Sequence, residues 1–492
     1  MKNEDAIVVG SGPNGLAAAI CLQQAGISVR LLEAKKTIGG GMRSAALTLP
    51  GFVHDVCSAI HPMAIASPFM KTLPLRAHGL EWIIPPTAAA HPFDGGTAAV
   101  LQGSVNDTAA LLGKDGLAYR SLMEPLVADW PQLAPDVLAP LRFPRHPVAM
   151  AQFGLKALPA ATFVARRFHT REARGLWAGM AAHSIQPLSH LTTSAIGLVL
   201  SAVGHLQGWP IPRGGSQSIA QAMASYFISL GGKIETGVTV QALDQFASAR
   251  AILLDVTPRQ LLTIAGDRLS ALYRWQLERY RYGLGVFKVD WALNGPIPFT
   301  APECREAGTI HLGNTLEEIA QSEYDTWKGK HPGVDTSEKP FVLLAQQSRF
   351  DESRAPAGRH TAWAYCHVPN GSKVDMTEAI EKQVERFAPG FRDRILGRAT
   401  MHTGQIEAYN PNYVGGDING GVIDIGQLYT RPALRPSPYR TSLKGLYLCS
   451  SSTPPGGGVH GMCGFHAART ALKDVFGIRI SPHPPKGELR IS

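Results

Sequence analysis

Gly10-Ser11-Gly12-Pro13-Asn14-Gly15 has the spacing GxGxxG, and its residue types suit a pyrophosphate. Gly10 permits a tight turn, Gly12 lets the backbone approach the phosphates, and Gly15 allows a helix to pack closely on a strand. The N-terminus of that helix then faces the negative charge. Alone the pattern is weak. Its context strengthens it: Glu33 stands eighteen residues after Gly15, at the end of a second apolar stretch. There it would accept hydrogen bonds from ribose hydroxyls and repel a ribose phosphate. Pro13, Asn14, Ala34 and Lys35 flank these positions and join the expected cofactor contacts.

A second set of residues could move protons. In HTAWAYCHVP (360–369) alternation puts Trp363, Tyr365 and His367 on one face, with Ala362, Ala364 and Cys366 on the other. The small face suits a core and the large face a cavity wall. Lys288 and Asp290 share a face of the stretch 282–293, and His311 lies on the next strand. Together Tyr365, His367, Lys288, Asp290 and His311 could give acid-base help in C–H removal. The plainer alternative is a hydrogen-bonded sheet surface or an interface. His460, in the C-terminal turn, could meet a cofactor or substrate, or could simply cap a helix. His61 is a weaker candidate of the same kind.

The elements that must position these groups follow from periodicity. Residues 5–10 read as a strand, 13–25 as an alanine-rich helix and 27–33 as a second strand, a βαβ start. From about 105 to 230 the pattern is mostly helical, broken by prolines and by WPIPRGG at 209–215. Strands are expected at 233–240, 251–258, 282–293, 307–313, 341–347, 360–369 and 445–452, and helices at 376–388 and 459–475. The predicted class is α/β: a discontinuous Rossmann-like domain (1–75, 209–270, 426–492) with an inserted α+β substrate domain (76–208, 271–425).

Bulk properties narrow the function classes. A chain of 492 residues exceeds one core, so joined subdomains are expected. Six scattered cysteines form no CxxC pair, which argues for reduced thiols and against a zinc site or a redox-cysteine reductase. No metal is expected. Apolar runs fall short of a membrane span, and MKNEDAIVVG lacks the apolar core of a secretion signal, so a cytoplasmic location is expected. The net charge is +9. Residues 141–174 hold Arg142, Arg145, Lys156, Arg166, Arg167, Arg171 and Arg174 against one acid, Glu172, with large apolar residues between them. That reads either as a solvated helical hairpin or as a basic amphipathic segment in peripheral contact with a membrane. The basic residues fit no nucleic-acid module.

Two further glycine motifs complete a resemblance. Gly39-Gly40-Gly41-Met42-Arg43 resembles the GG motif of the amine-oxidase and phytoene-desaturase superfamily. Thr453-Pro454-Pro455-Gly456-Gly457-Gly458-Val459-His460-Gly461 resembles its C-terminal flavin turn. With PIPRGG (210–215), FAPGF (387–391) and NPNYVGGDINGG (410–421), the chain resembles the phytoene-desaturase-related FAD-dependent oxidoreductases along nearly its whole length. The resemblance implies FAD, held at Gly10, Gly12, Gly15, Glu33, Gly40, Gly41, Met42, Arg43, Val240, Ser451, Gly458, Val459 and His460. It also implies an apolar substrate cavity. Pro454-Pro455 replaces the histidine-proline usual in carotenoid desaturases, and the stretch 240–252 is short. The expectation is therefore an FAD-dependent oxidoreductase that desaturates or oxidises an isoprenoid- or lipid-like substrate, with oxygen or a quinone as electron acceptor. The alternatives are a flavin-dependent isomerase without net redox, or a non-enzymatic flavoprotein acting through a membrane or protein contact.

Overall fold

The computed structural model describes residues 4–428 and 430–481. The strands of its two larger sheets, in chain order, are β1 (Ala6–Val9), β2 (Val29–Glu33), β3 (Thr87–Phe93), β4 (Thr97–Leu101), β5 (Lys233–Thr236) and β6 (Ala251–Leu254). Then come β7 (Gly285–Leu293), β8 (Ala307–Leu312), β9 (Val342–Ala345), β10 (His360–Val368), β11 (Ile395–Met401) and β12 (Leu446–Leu448). The helices used below are α1 (Pro13–Gln24), α2 (Pro147–Ala157), α3 (Arg171–Ala182), α4 (Thr193–Gln207), α5 (Leu316–Trp327) and α6 (Met462–Ala471).

The first sheet is parallel, in the order β12-β6-β1-β2-β5. Every residue of β1 is buried, as a parallel strand covered on both faces requires. Pro13 opens α1 where its missing N–H costs nothing, and the following alanines are good helix formers. The helix α6 crosses α1 backbone to backbone: a Cβ on Gly464 would lie 1.8 Å from the Asn14 carbonyl oxygen. The two ends of the chain therefore share one core cluster, which includes Leu16, Ile20, Phe465 and Leu472.

The second sheet has the order β11-β7-β10-β9-β8-β3-β4, antiparallel except at β8–β3. One face packs Ala362, Ala364 and Cys366 into a core with Val289 and Trp291. The opposite face carries two rows across the strands. One row runs Lys288, Tyr365, Leu343, His311, and the other Asp290, Trp363, Ala345, Thr309.

Several sequence expectations need correction. Between the strands and helices expected from periodicity, β3 and β4 form an unexpected hairpin that joins the second sheet. The strand expected at 233–240 ends at Thr236, because Gly237 turns the chain with φ +76°. The C-terminal strand is only three residues long, and α6 begins at Met462, after Gly461 with φ +68°. In the basic segment α2 meets the stretch Ala161–Arg167 at a bend of 91°. Among the described residues no single helix is long and apolar enough to cross a membrane.

Candidate functional site

A cavity of about 540 Å³ runs from the glycine turn after β1 to the face of the second sheet that carries the two rows. Gly10, Gly12, Pro13, Asn14, Glu33, Ala34, Lys35, Gly40, Gly41, Arg43, Val240, Ser451, Gly458 and Val459 all line it. Three of the expected cofactor positions do not. Gly15 lies behind the turn, where a Cβ would sit 1.9 Å from the Gly10 carbonyl oxygen. Met42 is fully buried in the core shared by α1 and α6. His460 is buried, and its Nδ1 accepts the Met462 N–H at 3.0 Å, capping α6. Burial holds its ring neutral, with a pKa lowered to about 4.

The glycine end is pre-organised for a phosphate-bearing dinucleotide. Gly40 approaches Gly12 so closely that a Cβ there would meet the Gly12 Cα at 2.9 Å. Glu33 accepts from the Ser11 N–H at 3.0 Å, the Lys35 N–H at 2.9 Å and the Arg43 guanidinium at 3.0 Å. Those bonds fix the carboxylate at the strand end. Tyr409 donates to the Gly40 carbonyl at 2.7 Å, so the 409–413 loop closes over the GG motif. Asn14 Oδ1 is buried without a partner among the described residues, an acceptor left open beside the turn. These features fit a bound dinucleotide.

Asp255, at the end of β6, was not anticipated. It lines the cavity, and its Oδ2 accepts the Gly15 N–H at 3.0 Å. It thus takes one of the amides that α1 leaves unpaired in its first turn. Burial pushes its pKa up to about 7; the Gly15 amide works against that rise and Glu33 adds to it. The sequence signal was present: an acid ends an apolar strand here, as Glu33 does.

The sheet end brings the other candidates onto one face but not into one cluster. Tyr365 and Trp363 line the cavity with Thr309, Leu343 and Ala345. Lys288 and Asp290 lie beneath Trp363 as a buried ion pair, with the Lys288 ammonium 5.7 Å from the indole centroid. Burial raises Asp290 to about 6 despite Lys288, and its second oxygen lies 3.6 Å from His54 Nδ1. His367 pairs with Glu323 of α5 at 2.8 Å, and neither lines the cavity. His311 is fully buried one ring behind the wall. Its Nε2 is 2.9 Å from Nε2 of His183, and His183 does line the cavity. The helix α3 can lie this close because Gly179 has no side chain: a Cβ would meet His311 Nδ1 at 2.7 Å. Periodicity gave no reason to single out His183. His61 lines the cavity too, bonded to Ser216 Oγ at 2.7 Å.

A Rossmann-like sheet joined to a mixed sheet, with a cavity between their facing residues, defines an α/β fold of the amine-oxidase and phytoene-desaturase type. Solved structures share it. An oxidoreductase from Methanosarcina mazei superposes with TM-score 0.65 at 15% identity over 95% of this chain and 99% of its own. Putrescine oxidase bound to putrescine gives 0.61 at 16% over 97% and 99%. The NAD(P)-binding Rossmann-like domain family matches residues 8–72. By sequence the chain is a homologue of pyridine nucleotide-disulfide oxidoreductase domain-containing protein 2 from Mus musculus, 25% identical over 96% of this chain and 94% of that protein. It is also related to phytoene desaturase (lycopene-forming) from Paracoccus sp., at 23% over 93% and 95%. One of the polypeptides of limonene dehydrogenase from Castellaniella defragrans is 22% identical over 96% and 95%. The resemblance drawn from the motifs therefore extends, as similarity at 22–25% identity, over nearly the whole chain.

Proposed function

We propose that this chain is an FAD-dependent oxidoreductase that desaturates or oxidises an apolar, isoprenoid-like substrate. The observation that carries the reading is the continuity of the cavity: the glycine turn and Glu33 at one end, Leu200, Trp209, Leu343, Trp363 and Tyr365 at the other. FAD supplies the electron-accepting chemistry when bound. The glycine turn, Glu33, the GG motif and the 458–459 turn would hold it. The chain's remaining work is to bind and orient the substrate and to exclude water. The aromatic wall does the first, and closure by the 409–413 loop helps with the second. Two electrons and two hydrogens leave the substrate, with oxygen or a quinone as terminal acceptor. Relatives named for limonene and phytoene chemistry support the substrate class. The test is anaerobic: a terpenoid substrate should bleach the oxidised flavin absorbance of the loaded protein. A fully loaded protein that no isoprenoid or lipid bleaches would overturn the reading.

A second observation bears on where such a substrate is met. Leu141, Phe143, Val148, Leu155 and Phe163 are more than half exposed, within one basic segment. The helix α2 packs on α4, whose Leu200 lines the cavity. Exposed apolar groups among basic ones suit an anionic bilayer surface. We infer that this patch seats the protein there.

A further inference from the structure

The sheet end of the cavity is apolar, yet polar groups converge on it. Thr309 Oγ1 and Trp363 Nε1 are buried without partners among the described residues, and both residues line the cavity. They lie in one row, separated only by Ala345. His183 lines the same end, held at 2.9 Å by His311 Nε2 and packed edge-on against Trp209. The tautomers follow from the hydrogen bonds. His311 Nδ1 is buried and has no partner among the described residues. A buried N–H without an acceptor is rarer than a bare lone pair, so His311 keeps its proton on Nε2 and donates it to His183. His183 then carries its own proton on Nδ1, to which no described residue bonds. Burial keeps the His183 ring neutral, lowering its pKa to about 3.

Charge points the same way. Among the described residues the only acids lining the cavity are Glu33 and Asp255, both at the glycine end. Asp290 and Glu323, on the same side of the sheet but outside the cavity lining, are taken by Lys288 and His367. A cationic substrate would find no counter-ion, and burying a charge unpaired is costly.

Resting on the FAD reading, we propose that the substrate is a neutral, apolar molecule bearing one oxygen acceptor, a carbonyl or hydroxyl. His183 Nδ1–H binds that oxygen, with Thr309 and Trp363 as further donors, which makes His183 the residue that selects it over a hydrocarbon. Limonene, carvone and putrescine probe this directly: carvone is the ten-carbon limonene skeleton with a ketone, and putrescine is a dication. Calorimetric titration of the flavin-loaded protein should show carvone binding about tenfold more tightly than limonene, the contribution of one good hydrogen bond. Putrescine should not bind. His183→Leu should lower the ratio of carvone to limonene affinity severalfold. Thr309→Val, a smaller perturbation, should narrow the gap severalfold if H183L fails to fold. Equal affinities in the natural protein, no binding of either terpenoid, preferential binding of putrescine, or an undiminished carvone preference in both variants would each overturn the proposal. The flavin spectrum is read on the same sample. Protein that carries no flavin sinks the cofactor reading, while the titration still judges His183.

Discussion

Asp255 is the residue whose protonation the fold most directly constrains. Its carboxyl is buried against the glycine turn and bonded to the Gly15 amide, with its pKa raised to about 7. An acid whose folded pKa exceeds its unfolded value contributes stability in full below the unfolded value, near 3.8, and loses it as pH rises through the folded value. The window is thus roughly pH 4 to 7, and the loss is at most on the order of 4 kcal/mol. Asp255→Asn keeps a carbonyl oxygen for the Gly15 N–H and removes the titration. Thermal unfolding of cofactor-free protein should therefore show the natural chain losing stability relative to D255N between pH 4 and 7. Parallel curves for the two proteins would refute the buried acid. The same turn makes a steric prediction: Gly15→Val sets side-chain atoms against the Gly10 carbonyl oxygen, already 1.9 Å from an ideal Cβ. Purified G15V should hold less than about a tenth of the flavin of the natural protein by absorbance, because the turn that faces the pyrophosphate is displaced.

At the scale of elements, the crossing of α1 and α6 ties the helix after β1 to the helix after β12. With Gly464 backed onto the Asn14 carbonyl, Gly464→Ala forces the helices apart just behind the turn. Overpacking of that kind costs about 1–3 kcal/mol. It should lower both the melting temperature and the flavin content, which would tie the two chain ends energetically; full flavin content at an unchanged melting temperature would argue against it. A chain ended after residue 445, lacking β12 and α6, should purify without flavin. Much of this was legible in advance. The βαβ start, Glu33 and the two later glycine motifs are local patterns with a mechanism, and the alternation in 360–369 put Ala362, Ala364 and Cys366 in the core and Trp363 and Tyr365 on the cavity wall, while His367 turns to Glu323 instead. The hairpin β3–β4 was not legible, because TAAAHPF has no alternation: its strand state comes from pairing with β8, more than two hundred residues away. His183 escaped for the same reason: its role depends on His311, a partner that only tertiary packing supplies. Asp255 was legible as an acid ending an apolar strand, though its bond to the Gly15 amide was not.

The whole molecule presents one asymmetric surface. Leu141 is 77% and Phe143 85% exposed, and Leu155 and Phe163 join them within a single basic stretch. Not every cation there faces outward unpaired: Arg142 pairs with Asp136, Arg171 with Glu172 and Arg174 with Glu317. If the patch seats the protein on a bilayer as proposed, attraction to an anionic surface would fall mainly to Arg145, Lys156, Arg166 and Arg167, at about 1 kcal/mol per cation near the bilayer. The apolar side chains add insertion, worth about 25 cal/mol per Å² removed from water. The two contributions separate experimentally. Co-sedimentation with vesicles containing phosphatidylserine should be strong at low salt and fall severalfold at high salt, because charge is screened over about 10 Å at 0.1 M ionic strength. Arg166→Glu with Arg167→Glu should remove most of the salt-sensitive part. Phe143→Ser with Leu155→Ser and Phe163→Ser should weaken binding at every salt concentration while leaving the melting temperature unchanged, since these side chains are already in water. Binding that is indifferent to salt and to both sets of changes would mean that this face does not meet the membrane. The substrate would then reach the cavity from solution.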